Sequence, residues 1–307
     1  MTDQTQAPKY CGFIALIGPP NAGKSTLMNH LIGQKLSIVS PKVQTTRARL
    51  MGVLTEGVRQ FIFIDTPGIF TPENKSKKLE RAMVHAAWTG ADDADMILLL
   101  IDAHEKNPLR HHADLIEALK NRQSKAPLYV ALNKVDAVAP ATLLPLAAAV
   151  QEALQPVELF MISAADGTGI AVLKEKLAAV LPEGPFHYDP DEVTDMSLRL
   201  IAAEFTREQL FLQLKQEVPY DAHVETEKWE TFDNGSAKIT QSIVVTREGQ
   251  KGIVIGKGGA QLKKIGAAAR AQLKELTGSN VHLILNVKVR ENWQDDRDYY
   301  ETWGLKK

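Results

Sequence analysis

Gly18-Pro19-Pro20-Asn21-Ala22-Gly23-Lys24-Ser25 is the stretch on which the fold turns. An apolar run, Phe13–Ile17, leads into it, and Thr26-Leu27-Met28-Asn29-His30-Leu31-Ile32 continues it with helical spacing. The pattern G-x-x-x-x-G-K-S between a strand and a helix is a phosphate cradle: glycines let the backbone curl with its N–H groups inward, and the helix start adds its positive dipole end. A glycine-rich turn with a surface lysine needs neither flanking element, so the context favours a nucleoside triphosphate. Gly18, Pro19, Pro20, Asn21, Ala22, Gly23, Lys24, Ser25 and Thr26 form the expected phosphate-binding set. Lys24 is placed at the β- and γ-phosphates and Ser25 at Mg²⁺.

Working outward, further apolar runs stand at Phe61–Ile64, Met96–Ile101, Leu128–Leu132 and Glu158–Ile162, with helix-spaced segments at Leu27–Ile32, Leu109–Lys120 and Val172–Val180 between them. Strands apolar on both faces suit a sheet covered on both sides. The expected fold is α/β, a mostly parallel doubly wound sheet over residues 1–181. Residues 182–195 carry three prolines and several acids without periodicity and read as a linker. Beyond it, over 196–307, the spacing predicts a smaller α+β module. Its elements are a helix (Ser197–Lys215), two strands (Val224–Phe232 and Ala237–Arg247) joined at Asp233-Asn234-Gly235, a glycine-rich turn, a basic helix (Gln261–Thr277) and a strand (Val281–Val289).

The 307 residues are 44% apolar and 24% charged, enough for packed cores and against a disordered or fibrous chain. No apolar run approaches the roughly 20 residues that cross a bilayer. The amino terminus lacks a secretory pattern, and Cys11 is the sole cysteine, so a reducing cytoplasm is expected and no intrachain disulfide can form.

Two more motifs sharpen the ligand. Asp65-Thr66-Pro67-Gly68 closes a buried strand 41 residues after Lys24, where the aspartate can hold the metal through water and the glycine N–H can meet a γ-phosphate. Asn133-Lys134-Val135-Asp136 closes the fourth run and Ser163-Ala164-Ala165 the fifth. A carboxylate accepts two hydrogen bonds from guanine N1–H and its exocyclic amine, a donor pair adenine lacks, so Asp136 selects guanine. Asn133 supports the loop and meets the ring, the Lys134 stem covers its face, and Ala164 N–H meets the guanine carbonyl. All these signals fall at strand carboxyl ends, where open α/β sheets bind ligands.

The net charge is −1, yet between Lys238 and Arg290 ten basic residues face two acidic ones. A polyanion is therefore expected at this module. Its centre is Val254-Ile255-Gly256-Lys257-Gly258-Gly259, followed by Lys263 and Lys264. A Gly-x-x-Gly between helices admits a nucleic-acid backbone, with lysines at phosphates and an apolar groove under unpaired bases. No Lys-Ser or Lys-Thr follows these glycines, against a second triphosphate loop.

The segments 18–26, Gln44-Thr45-Thr46-Arg47, 65–68, 133–136 and 163–165 resemble the five motifs of translation-factor-class GTPases. With a carboxyl-terminal module similar to a KH domain, essentially the whole chain resembles the Era-type ribosome-assembly GTPases. That resemblance implies GTP hydrolysis with Mg²⁺ on Ser25, Thr46 and Asp65, with Thr45 as the neighbouring alternative to Thr46. It implies single-stranded 16S ribosomal RNA near its 3′ end as partner, a role in small (30S) subunit assembly, a monomer, and weak peripheral association with the cytoplasmic face of the inner membrane. Lys24, Thr46, Gly68 and Asn21 are the implied catalytic set. Asn21 resembles asparagines that ligate K⁺ beside the phosphates; as a plain residue it braces a loop, and both readings stand. The family's usual arginine after the first cradle glycine is Pro19 here.

Ras-type sites orient the attacking water with a glutamine after the D-x-x-G glycine. Ile69 stands there, so slow intrinsic hydrolysis is expected. Lys75, Lys77, Lys78 and Arg81 read either as a moving switch or as a solvated helix face. Trp293, Tyr299, Tyr300 and Trp303 read either as base-stacking or as packing residues, with Asp295, Asp296 and Asp298 against phosphate nearby. His111 and His112, adjacent on a helix, are expected to diverge, with no shared metal. A nucleotide-dependent kinase is opposed by Asp136, and a lipid-binding signalling GTPase is separable by vesicle flotation.

Overall fold

The computed structural model describes residues 7–43, 45–47, 49–69, 78–296 and 299. Gln44, Lys75, Lys77, Asp298, Tyr300 and Trp303 lie outside the described residues, as do the side chains of Lys78 and Asp295. The chain divides into two compact units, one running to Leu36 and resuming over Thr46–Asp195, the other formed by Ser37–Thr45 with Met196–Thr302.

In the first unit the order is β1 (Tyr10–Ile17), α1 (Lys24–Ile32), β2 (Leu50–Glu56), β3 (Arg59–Asp65), α2 (Lys78–Asp92), β4 (Met96–Asp102), α3 (Pro108–His111), α4 (Ala113–Lys120), β5 (Leu128–Asn133), α5 (Pro140–Leu154), β6 (Glu158–Met161) and α6 (Ile170–Ala179). The sheet runs β2-β3-β1-β4-β5-β6. All neighbours are parallel except β2, which pairs antiparallel to β3 through a hairpin. The sequence reading did not identify β2: its glycine at 52 and polar end, Thr55-Glu56, break the apolar run that marks the other strands. β4 and β5 are apolar and buried along almost their whole length because helices cover both faces.

Register places the site. Leu16 stands opposite Asp65, Ile17 opposite Leu99, and Asp102 opposite Asn133. The carboxyl ends of β1, β3, β4 and β5 therefore lie along one edge of the sheet, and everything chemical in this unit hangs from that edge.

Residues 182–195 are built into the same unit. Cys11 N–H donates to Pro182 O at 3.0 Å and Val53 N–H to Val193 O at 2.9 Å. Gln60, fully buried, accepts from His187 N and Tyr188 N at 2.9 and 3.1 Å and donates to Tyr188 O at 2.9 Å.

The second unit runs α7 (Leu198–Gln213), β7 (His223–Thr231), β8 (Ala237–Val245), α8 (Glu248–Ile255), α9 (Ala260–Thr277) and β9 (Val281–Val289). Ser197 caps α7 by accepting from Leu200 N. β7 and β8 form a hairpin and β9 adds parallel to β8, giving the order β7-β8-β9. One core cluster joins Ile201, Phe205, Ile239 and Leu273 with Ile38 from the 37–45 segment. That segment is also held by polar bonds: Val39 N–H donates to Glu208 Oε1 at 2.8 Å, and the Arg207 guanidinium, itself paired with Glu204, donates to Thr45 O at 2.6 Å. Trp293 is fully buried with its indole N–H on Asp221 O, and Tyr299 packs against it and His223, so these two aromatics pack. No described helix is long and apolar enough to cross a membrane.

Candidate functional site

The cradle connects β1 to α1. Gly18 (φ 147°) and Gly23 (φ 96°) occupy backbone conformations open to glycine, and a Cβ would lie 2.4 Å from Leu100 O at Gly18 and 2.1 Å from Asn133 Nδ2 at Gly23. Lys24 opens α1 and is buried, its ammonium donating to Gly18 O at 3.0 Å and Pro19 O at 2.9 Å. Burial pulls its pKa down to about 8, against the attraction of Asp65. A phosphate tail would add negative charge that its carbonyl partners do not carry. Asn21 is exposed in the left-handed region, φ 62°.

Three oxygens converge beside Lys24. Ser25 Oγ donates to Asp65 Oδ2 at 2.6 Å and shares a hydrogen bond of 2.9 Å with Thr46 Oγ1. Two hydroxyls and a carboxylate suit a hard cation such as Mg²⁺, which takes oxygen ligands and keeps positions for water and phosphate. Of the two neighbouring threonines, Thr46 brings its hydroxyl here, while Thr45 Oγ1 bonds to Lys42 O at 2.8 Å and Ser40 Oγ at 2.6 Å.

After β3, Thr66 is buried with its hydroxyl on Leu16 O, which anchors Pro67 and Gly68 against the cradle. A Cβ at Gly68 would meet Pro20 N at 2.7 Å. Ile69 N–H donates to Gly18 O at 3.0 Å, and its side chain lies in the core with Ile17, Ala87, Ala91 and Ile101. An aliphatic side chain suits that place and holds no water.

At β5, Asn133 is buried and bridges two loops, donating to Ala22 O at 2.7 Å and accepting from Ala164 N–H at 2.9 Å. The Ala164 amide, expected to meet the base directly, is engaged by Asn133, so base recognition through it requires sharing or release of that bond. Val135 N–H donates to Ile162 O at 3.2 Å, tying this loop to the end of β6, while Asp136 and Ala165 are exposed and Ser163 is buried. Lys134 adopts φ 66° and its ammonium lies 2.6 Å from Asp102 Oδ2. Sequence reading did not single out Asp102; it closes the apolar run of β4 and carries no motif of its own.

In the second unit α8 ends at Gly256 (φ 71°), where a Cβ would lie 2.6 Å from Gln261 Cβ, and Gly258 and Gly259 are also left-handed with open space beside them. The turn thus needs its glycines and leaves room for a polymer backbone to approach. Lys257, Lys263 and Lys264 are exposed. Val254 is fully buried, so it holds the turn from beneath and offers no contact surface, and Ile255 is half-buried. A groove of about 380 Å³ runs beside the turn, lined by Gly259, Leu262, Lys263, Gly266, Ala267, Arg270, Leu283 and Leu285. Leucines floor it, small residues open it, and Lys263 and Arg270 carry charge to it. Its α9 members recur every three or four residues, the spacing of one helix face, a signal that sequence reading passed over for Gly266 and Arg270.

His111 and His112 converge after all, because the break between α3 and α4 turns both rings onto Glu105, at 2.9 and 2.8 Å. No group of three or more His, Cys, Asp or Glu suited to a metal occurs among the described residues. Burial pushes the Cys11 thiol up, which suits a structural cysteine.

Residues 13–134 match the family described as 50S ribosome-binding GTPase, and residues 217–294 match the KH domain. The chain is 48% identical to GTPase Era of Afipia carboxidovorans over 305 residues, 99% of this chain and 97% of that one. It is 50% identical to GTPase Era of Bradyrhizobium sp. strain BTAi1 over 295 residues, 96% and 94% of the two chains. Among solved structures it resembles Era in complex with MgGDPNP and nucleotides 1506–1542 of 16S ribosomal RNA, with a TM-score of 0.88, 37% identity, and 96% and 99% of the two chains covered. An Aquifex aeolicus Era variant bound to GDP·AlF4⁻ gives 0.89 and 38% over the same shares. With a GTPase half and a KH half in the same order, and about half of all positions shared along nearly the full length, this chain belongs to the Era family of GTPases.

Proposed function

We propose that the chain is a GTP-driven switch that grips the single-stranded 3′ region of 16S ribosomal RNA during small-subunit assembly. The observation that carries this reading is the glycine turn at 256–259 with its leucine-floored, cation-rimmed groove, in a chain whose other unit holds the triphosphate cradle. The complex of a related Era with MgGDPNP and nucleotides 1506–1542 of 16S ribosomal RNA supports it. Four unpaired bases suit a Gly-x-x-Gly groove, with Lys257, Lys263 and Lys264 at phosphates.

In the GTPase unit, residues 18–26 cradle the phosphates, and Gly68 N–H meets the γ-phosphate. Ser25, Thr46 and Asp65 would hold Mg²⁺, which when bound would neutralise charge developing on the phosphate oxygens. Lys24 supplies a fixed ammonium at the phosphates, and Asp136 accepts guanine N1–H and its amine. Water attacks phosphorus in line with the leaving GDP oxygen. Ile69 cannot orient that water, so hydrolysis is slow until a partner or a cation completes the site. The amide oxygen of exposed Asn21 would suit K⁺, which would neutralise developing charge much as an arginine finger does. Equal hydrolysis rates in Na⁺ and K⁺ buffers would remove that role.

The experiment is equilibrium binding of the full chain to an oligoribonucleotide spanning the 16S 3′ end, with GDP or a non-hydrolysable GTP analogue present. The expected result is binding that differs between the two nucleotides and falls when Lys257 and Lys263 are replaced by glutamate. Absence of binding, or indifference to both lysines, defeats the RNA reading. Cells depleted of the chain should accumulate small-subunit particles with unprocessed 16S RNA.

A further inference from the structure

We infer that Asp102, at the carboxyl end of β4, is a positioning residue for nucleotide binding: it fixes the ammonium of Lys134 so that the lysine stem is already in place over the base. This rests on the assignment of Lys134 to the face of guanine made above.

The geometry separates the two oxygens of Asp102. Oδ1 accepts from His104 N–H at 2.9 Å and shapes its own loop, whereas Oδ2 takes the Lys134 ammonium at 2.6 Å. Ala103 N–H also donates to Asn133 O at 2.9 Å, so the end of β4 is joined to β5 at the residue just before the lysine. Lys134 sits in the left-handed region at φ 66°, which a side-chain-bearing residue rarely adopts without something to hold it. It lies directly between Asn133, which braces the cradle, and the loop carrying Asp136.

A pair this open contributes little to stability, with the Lys134 side chain 36% exposed and Asp102 16%. Its consequence is for binding. A free lysine samples many rotamers and must lose them when a base slides beneath its stem. Asp102 imposes that order beforehand and also neutralises the ammonium, leaving the methylenes to cover the ring. Discrimination of guanine remains with Asp136, so Asp102 acts on affinity and not on base choice.

The test is a double-mutant cycle on the full chain, reading the dissociation constant and off-rate of a fluorescent GDP. Asp102→Asn keeps an acceptor for His104 but turns an amide toward the ammonium. It should weaken GDP up to about tenfold, as expected when a long side chain must be ordered only on binding, through faster release. In a Lys134→Met background the same change should alter affinity less than about twofold. Asp102→Glu, which keeps the carboxylate, should recover most of the loss, with melting temperatures marking each variant as folded. Equal losses in both backgrounds would make Asp102 a bracket of its loop only, and an unchanged constant for Asp102→Asn would also overturn the inference. If Lys134→Met leaves GDP affinity intact, the lysine assignment and the tether fall together. A separate Asp136→Asn variant tests the guanine reading, since it should favour xanthosine diphosphate whatever the cycle shows.

Discussion

Ser25 Oγ donates to Asp65 Oδ2 across 2.6 Å, although forty residues separate them in the chain. In the proposed Mg²⁺ site this bond would leave the hydroxyl's lone pairs for the cation. Ser25→Ala should raise the Mg²⁺ concentration for half-maximal hydrolysis by about tenfold to a hundredfold, the usual scale for disturbing a metal's surroundings. Phosphate release followed against Mg²⁺ concentration reads this. Chelation with EDTA should stop the wild-type reaction, and added Mg²⁺ should restore it.

Lys24 gives the site a pH signature. Its pKa in the folded chain, about 8, lies below the ordinary 10.5, so between these values the unfolded state binds more protons and the stability of the ligand-free chain rises with pH. Binding runs the other way. Phosphate selects the charged lysine, so above about pH 8 nucleotide binding takes up a proton and affinity falls, by up to about tenfold per pH unit. Calorimetry in buffers of different ionisation enthalpy should find that uptake above pH 8 and lose it in Lys24→Met.

Restoring the glutamine of Ras-type sites should not restore fast hydrolysis. Ile69 is only 7% exposed and belongs to the core. Ile69→Gln would bury an amide without assured partners, at about 1–3 kcal/mol, so a lower melting temperature and no gain in turnover are expected. A clear acceleration would mean that residue 69 leaves the core in the reacting state.

Gly266 tests the groove without touching charge. A Cβ there would lie 3.3 Å from Leu285 Cδ1, so Gly266→Leu fills the groove from the α9 side. Oligoribonucleotide affinity should fall more than about tenfold, since the bases lose their apolar floor. GTP hydrolysis without RNA should stay at the wild-type rate, and the helix should tolerate the change because leucine is a better helix former than glycine.

Much of this was written locally in the chain. The cradle is legible because its chemistry demands glycine, lysine and serine at fixed spacing between a strand and a helix; α1 begins at Lys24, two residues before the helical run expected from Thr26. β9 spans the predicted Val281–Val289, where alternating side chains and a Gly278 stop leave little choice. Long-range pairing was not legible. β2 needed β3 beside it to become a strand. Asp102 acquires a partner only when β4 and β5 align, and the Ala164 amide meets Asn133 only when β5 and β6 do. Nothing in the composition of Ser37–Thr45 says that it packs with α7, because its bonds to Arg207 and Glu208 join residues far apart in the chain.

Gln60 sets where the GTPase half can be cut. Three of its hydrogen bonds end on the backbone of His187 and Tyr188, while its own side chain is fully buried. A fragment stopping near residue 181 would strip those bonds, each of which costs about 1–3 kcal/mol when its buried partner is orphaned. It would also bare the edge of β2 at Val53 that Val193 covers. Anyone dissecting the protein for crystallisation or kinetics should carry the tether through Asp195: a prolonged fragment would behave as a monodisperse enzyme, a clipped one as a sticky intermediate.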